Sequence, residues 1–261
     1  MKDFIIPVDF SETSLNAARY AANMLSGKAN SRVILYNMFK DEDEAATATQ
    51  YLESLQAELE QKGVANIETV KELGTDLIDN LGRLAYQKTA ELIIMGISEK
   101  DEWRQLFIGS NTVKMAEQNV CPVMIIPHNA KYNGITNIAL TSDFKDVENT
   151  TPELAIKTVL EIFNSKLHIV NVDNEHYVSL TQEYLTERGK MQKMFAEYNP
   201  EFYFIGMNDY YEAIEQFSID KNIDLIIVIP KNHSFINSIF SGHHTKKLAF
   251  RSSVPILAAH Q

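Results

Sequence analysis

The chain has a single cysteine, Cys121, in 261 residues. One cysteine cannot close an intramolecular disulfide, so no oxidising compartment is implied. Cys121 itself, placed just before an apolar run, reads as a small packed hydrophobe. Basic residues are also in short supply: 24 Lys and Arg stand against 35 Asp and Glu, a formal net charge of −11. Binding a phosphate backbone needs a basic face that displaces counterions, which excludes nucleic acid as the expected partner. No run of about 18 apolar residues occurs, so no membrane span is expected. The opening Met1-Lys2-Asp3-Phe4-Ile5-Ile6 enters a strand pattern without a signal-peptide core. Together these absences make the expected location cytoplasmic. Missing too are a nucleophile beside a base, a paired-carboxylate site and a metal-ligand cluster, so an efficient enzyme is not expected.

What the chain does contain is a repetition. Ile6-Pro7-Val8-Asp9-Phe10-Ser11 returns as Leu140-Thr141-Ser142-Asp143-Phe144-Lys145, and Ala90-Glu91-Leu92-Ile93-Ile94-Met95 returns as Ile223-Asp224-Leu225-Ile226-Ile227-Val228. Asp9 maps to Asp143 and Asn37-Met38 to Asn171-Val172 at an offset of 134, while Gly109 maps to Gly242 and Pro122 to Pro255 at 133. A unit of this length is domain-sized, far longer than a solenoid repeat, so each copy can bury its own core. At 45% hydrophobic and 23% charged, the composition is that of a soluble globular chain. The expected organisation is domain 1 over 1–128, a linker over 129–134 and domain 2 over 135–261. The joint is too short for the domains to wander, so they are expected to pack together.

Within copy one, five apolar runs read as strands: Phe4 to Ile6, Arg32 to Tyr36, Ile67 to Val70, Leu92 to Met95 and Val123 to Ile126. Several are continuously hydrophobic, as strands covered on both faces must be. Ala17, Ala18, Ala21 and Leu25 recur between them at helical spacing, as do Leu52, Leu55 and Leu59, then Leu77, Leu81, Leu84 and Ala85. Copy two repeats the order with Ile138 to Leu140, Leu167 to Val170, Phe202 to Ile205, Leu225 to Val228 and Ile256 to Ala258. Thr151-Pro152-Glu153 reads as a helix start that places Leu154, Thr158 and Ile162 on one face. Strands alternating with helices require right-handed crossovers. The expected fold class is α/β: two tandem doubly wound domains, each with a parallel sheet covered by helices on both faces. The acidic run Asp41 to Glu44 is read as helix-start electrostatics and Met191 and Met194 as core filling.

In such sheets ligands bind beyond the carboxyl ends of the strands, where strand order reverses. The candidates there are Pro7, Val8 and Asp9 after strand one, Asn37-Met38 after strand two, and the segment from Gly96 to Gly109-Ser110-Asn111 after strand four. Gly109-Ser110 opens a helix, where free amides and the dipole can hold an anion and the hydroxyl can cap the helix or meet a phosphate. Asp9 can equally be a turn aspartate, and Trp103 either a lid or a packing residue.

Ile6-Pro7-Val8-Asp9-Phe10-Ser11, the Gly96 to Gly109-Ser110 spacing, Gly109-Ser110-Asn111-Thr112 and the ending Cys121-Pro122-Val123 together resemble the universal stress protein family. That resemblance, strong in copy one and fainter in copy two, implies a five-stranded sheet of order 3-2-1-4-5 and pairing through the fifth strands. Here that pairing would make an internal pseudo-dimer, or a homodimer. In one branch of the family it also implies ATP or AMP binding with Mg²⁺. By that analogy Asp9 bonds the nucleoside, the Met38 backbone meets the adenine edge, and Gly96, Gly109 and Ser110 hold ribose and phosphates. The branch's second loop glycine is Glu99 here; a carboxylate repels phosphate, with Lys100 and Arg104 near enough in sequence to compensate. Copy two carries Ile229, Asn232, Gly242 and His243 at the loop positions, so a vestigial pocket is expected. His233, His243 and His244 have no recognised metal spacing. The implied role is a stress-response ligand-sensing or interaction module; the alternatives are an ATP- or AMP-binding protein with slow hydrolysis, or a structural dimer with empty pockets. ATP pyrophosphatase chemistry is disfavoured, since Phe10-Ser11-Glu12-Thr13-Ser14 has no glycine.

Overall fold

The computed structural model describes residues 1–97, 109–173, 181–230 and 254–260. The chain divides into two compact units, Met1–Tyr132 and Asn133–Gln261.

In the first unit β1 (Lys2–Pro7), α1 (Glu12–Leu25), β2 (Ser31–Phe39), α2 (Ala45–Gln61), β3 (Ile67–Leu73), α3 (Leu77–Lys88), β4 (Leu92–Ile97), α4 (Gly109–Glu117) and β5 (Val123–Pro127) follow in order. The strands pair in parallel as β3-β2-β1-β4-β5. Chain order runs outward from β1 on both sides, so strand order reverses between β1 and β4. The central strands are apolar along their length because both faces are covered: Phe4, Ile5, Ile6, Val33, Ile34, Leu35, Ile93 and Ile94 are all 1% exposed or less. Each such side chain contributes about 1.5–3 kcal/mol on burial. The alanine stripe of α1, Ala17, Ala18 and Ala21, is fully buried and lets that helix lie close against β4. After β5 the chain stays on the first unit. The Asn16 side-chain amide donates to the Pro127 and Ala130 carbonyls at 3.2 and 3.3 Å, and Tyr20 meets Tyr132 edge-on.

The second unit repeats this plan with β6 (Asn137–Thr141), α5 (Val147–Thr150), α6 (Glu153–Phe163), β7 (Lys166–Val172), α7 (Gln182–Met194), β8 (Glu201–Ile205), α8 (Tyr210–Asp220), β9 (Leu225–Val228) and β10 (Ile256–Ala258). Its parallel order is β8-β7-β6-β9-β10, again reversing beside the first strand, between β6 and β9.

The helix start at Thr151-Pro152-Glu153 and the acidic run ahead of α2 fall where the sequence places them, whereas the buried face of α6 departs from the expected one. The helix after β6 is broken: α5 makes one turn, Thr151 is extended, and α6 restarts beyond Pro152. The buried stripe of α6 is Ile156, Val159 and Leu160, and Leu154 is 82% exposed. Leu154 stands two residues, or about 200° of helix, from Ile156, which turns it to the opposite side. The acidic run forms a 3₁₀ turn, Glu42–Glu44, ahead of α2, and the Glu44 carboxylate accepts the Lys40 amide at 3.1 Å.

Candidate functional site

The carboxyl ends of β4, β1 and β2 lie side by side in the first unit. Pro7, the buried last residue of β1, pairs with Tyr36 of β2, and the Val8 amide donates to the Tyr36 carbonyl at 2.8 Å. Asp9 follows, exposed, in a turn of its own making. Its Oδ1 accepts the Ser11 amide at 3.0 Å and the Ser11 hydroxyl at 2.6 Å. Ser11 in turn caps α1, its Oγ accepting the Ser14 amide at 3.2 Å. Between Asp9 and Ser11, Phe10 is held at φ 63°, a conformation unfavourable for a bulky side chain, with its ring 5.0 Å from that of Tyr51 on α2. The turn-aspartate reading of Asp9 is therefore satisfied, while its Oδ2 lies outside this turn network.

Two residues of β2 complete this edge. Val33 and Phe39 bond toward β3 and Tyr36 toward β1, so by strand alternation the Met38 backbone faces the β1 side, beyond the end of that strand. Its sulfur lies 3.7 Å from the Asn80 side-chain amide. Nearby, the buried Tyr36 hydroxyl donates to Glu72, whose carboxylate also receives Arg83; burial, aided by that carboxylate, raises the phenol above its ordinary range. Asn37, a candidate by its place at the end of strand two and repeated in copy two, acts through its side chain. Its amide donates to the Val8 carbonyl at 2.8 Å and fixes the start of the Asp9 turn, while its Oδ1 is buried with no hydrogen-bond partner among the described residues.

Gly96 is the next-to-last residue of β4, paired with Ile126. A Cβ there would stand 2.5 Å from the Thr13 carbonyl oxygen, so this glycine admits the first turn of α1. Its own carbonyl accepts the buried Thr112 hydroxyl at 3.0 Å, which ties β4 to α4. Gly109 and Ser110 open α4 and Asn111 is half-buried behind them. Glu99, Lys100, Trp103 and Arg104 lie outside the described residues, as do Asn232, His233, Gly242, His243 and His244.

The second unit repeats the scaffold with different fillings. The Ser142 amide donates to the Val170 carbonyl, the Asn171 amide donates to the Ser142 carbonyl at 2.8 Å, and Asp143 Oδ1 accepts the Lys145 amide at 3.1 Å. Phe144 again takes a positive φ, 50°, with its ring 5.0 Å from Tyr184 on α7. Asn171 Oδ1, like Asn37 Oδ1, is buried with no hydrogen-bond partner among the described residues.

Among the described residues no group of three or more His, Cys, Asp or Glu could hold a metal ion, and no helix is long and apolar enough to cross a membrane. Burial pushes the Cys121 thiol up to about 12, the behaviour of a packed thiol and not of a nucleophile.

Residues 1–127 match the sequence model of the Universal stress protein family. No curated protein matches the chain. Among solved structures the chain is similar to a universal stress protein from Archaeoglobus fulgidus DSM 4304, at 16% identity and a TM-score of 0.69, covering 99% of this chain and 98% of that one. It is also similar to a functionally unknown protein from Pseudomonas aeruginosa PAO1, at 13% identity and a TM-score of 0.60, covering 98% of this chain and 92% of that one. The first unit therefore carries a universal stress protein domain, and over its whole length the chain has the fold of a solved universal stress protein.

Proposed function

We propose that the chain is a tandem universal stress protein whose second unit is a diverged copy of the first, acting as a ligand-sensing or interaction module. Its ligand is an adenine nucleotide, ATP or AMP with Mg²⁺, taken by the first unit at the carboxyl edge of its sheet. In this reading Pro7 and Val8 wall the pocket, Asp9 bonds the nucleoside through its outer carboxylate oxygen, and the Met38 backbone meets the base edge. The first turn of α4, with Gly109, Ser110 and Asn111, offers amides and hydroxyl to the phosphates. Gly96 contributes by letting α1 close against β4, and only indirectly to the ligand.

One observation carries the reading. Strand register sets Asp9, Met38 and Gly96 at the ends of three adjacent strands, on the side where strand order reverses, which is the ligand position in open parallel sheets. The module works by binding, and no catalytic step is assigned to any residue. A structural tandem without nucleotide is the second reading, favoured by the Thr13 carbonyl standing where Gly96 leaves space.

Mass spectrometry of small molecules released on denaturation, followed by calorimetric titration with ATP and Mg²⁺, separates the two. Binding at one site, weakened at least tenfold in Asp9→Ala and in Gly109→Val, is the expected result. A protein that is empty as purified and silent at millimolar ATP overturns the nucleotide reading in favour of the structural one.

A further inference from the structure

The carboxyl edge of the second sheet differs from that of the first in what crosses it. Thr141 is the last residue of β6, and its hydroxyl donates to the Ile227 carbonyl of β9 at 3.3 Å. It therefore sits at the junction where strand order reverses in this unit. Tyr210 is the first residue of α8, placed there by Asp209, whose carboxylate caps the helix by accepting the Tyr211 and Glu212 amides at 2.9 and 3.2 Å. α8 follows β8, at the far side of the sheet, two strands from β6. Yet the Tyr210 hydroxyl engages the Thr141 side chain, so its phenol spans from the β8 side to the reversal point. Tyr211 stands edge-on to it, ring centroids 5.5 Å apart. The first unit has Pro7 and Leu77 at the corresponding positions and cannot make this bridge.

Neighbouring substitutions agree. Where the first unit has Gly96, the second has Ile229, whose side chain would collide with a first helical turn docked as Thr13 is. That turn is correspondingly detached. As α5 it is pinned to α7, the buried Glu187 carboxylate accepting the Val147 amide at 2.7 Å and Lys190 bridging Glu187 and Glu148 at 2.8 and 3.1 Å. Val147, the first residue of α5, and Phe144, three positions before it, are buried, 1% and 3% exposed.

We infer that the strand-end crevice of the second unit is occupied by the chain's own Tyr210, closed in by Ile229 and the α5 turn. The phenol takes the place of a ligand, its ring along the sheet edge and its hydroxyl on Thr141. Tyr210 as a whole is half-buried, and burial around its hydroxyl pushes that group up to about 12, which marks the hydroxyl end as the inward one. A ligand of the second unit must displace the tyrosine, and the class that fits the vacated space is a small aromatic bearing one hydroxyl.

Two experiments test this, and neither involves nucleotide, so they stand or fall apart from the reading of the first unit. In the intact chain, limited nitration with tetranitromethane is followed by peptide mass spectrometry, with Tyr86, 82% exposed, as the internal reference. Tyr210 is expected to react at least tenfold more slowly than Tyr86; equal rates overturn the inference. In the full-length Tyr210→Ala variant, p-cresol is expected to bind one per chain and raise the midpoint of thermal unfolding, leaving the wild-type midpoint unmoved. A folded variant that p-cresol does not stabilise, or a wild type stabilised equally, overturns it. If Tyr210→Ala does not fold, the nitration ratio alone decides.

Discussion

Replacing Gly96 by alanine separates packing from ligand binding as the reason for that glycine. Its φ lies outside the left-handed region, so the backbone itself accepts alanine. A Gly→Ala change at a compatible position ordinarily stabilises by about 0.4–1 kcal/mol through the unfolded chain. Here the new methyl would stand 2.5 Å from the Thr13 carbonyl oxygen, 2.7 Å from its Cγ2 and 2.9 Å from its carbonyl carbon. Ordinary carbon contacts begin near 3.5 Å, so α1 and β4 must part by about 1 Å. Two of the three atoms are backbone in a turn held by the Ser11 cap and cannot rotate away. Overpacking of this kind costs about 1–3 kcal/mol. Displacing β4 also strains the buried Thr112 to Gly96 hydrogen bond, worth about 1 kcal/mol. The expected loss is about 2–4 kcal/mol. With a urea m-value of about 2 kcal/mol/M, the unfolding midpoint of the first unit falls by about 1–2 M. Urea titration of far-UV circular dichroism reads it. Adding Thr13→Ala removes Cγ2 and leaves the carbonyl, so the double variant should recover little. A Gly96→Ala protein as stable as wild type would refute the argument, and full recovery in the double variant would shift the cause from backbone to methyl.

Ser11→Ala removes the oxygen that caps α1 and the hydroxyl that holds Asp9, and should destabilise the first unit by about 1 kcal/mol in the same urea titration; no change would mean that the Asp9 turn stands without it. His168 is buried against Phe217 and Tyr203, with its Nε2 3.3 Å from Asn137 Oδ1. Burial lowers its pKa; Glu201, 3.6 Å from Nδ1, opposes this but is exposed and already engaged by Tyr203, while Lys221 and Lys166 add to the lowering. A folded-state pKa below the unfolded value of about 6.5 means that the neutral ring's contribution is complete above that pH and is lost as pH falls through the folded value. Urea midpoints measured from pH 7.5 to 5 should therefore decline more steeply in wild type than in His168→Phe; identical slopes would reject the assignment.

The sheets were legible because their strands carry a signal that needs no context: unbroken runs such as Phe4-Ile5-Ile6 and Leu225-Ile226-Ile227-Val228 are tenable only with both faces covered. Helix phase was legible wherever a helix is continuous, as at Leu52, Leu55 and Leu59, all buried. It failed in α6, where the start at Pro152 was legible but several apolar residues compete for the buried face, and packing selects Ile156, Val159 and Leu160 and leaves Leu154 exposed. Asp9 and Gly96 were singled out by position in the motif, but what each contacts depends on a partner that spacing does not name. For Asp9 the partner is Ser11, two residues away. For Gly96 it is a backbone carbonyl 83 positions earlier, since 96 − 13 = 83, and nothing in the local sequence announces it. Asn37 did leave a trace, because it recurs as Asn171. Tyr210 left none, since its significance lies in reaching Thr141 across an intervening strand.

The two copies show how a strand-end site is lost without loss of the sheet. The backbone frame is kept in detail: the corresponding asparagine amide bonds the carbonyl of the residue just after the first strand, and the same aromatic follows the aspartate at positive φ. Such positions are costly for a phenylalanine, and their survival in both copies ties them to the turn and not to a particular ligand. What differs is coupled. Once the glycine at the end of the fourth strand is Ile229, the first helical turn can no longer dock there, and a separate anchor becomes necessary. Glu187 provides that anchor in the second unit. The space vacated at the reversal point needs filling as well, because an open apolar edge forfeits contacts, and Tyr210 fills it with its hydroxyl satisfied on Thr141. Reversing one member alone should therefore not restore an open site: Ile229→Gly makes room for a turn that Glu187 still holds elsewhere, beneath a tyrosine still in place.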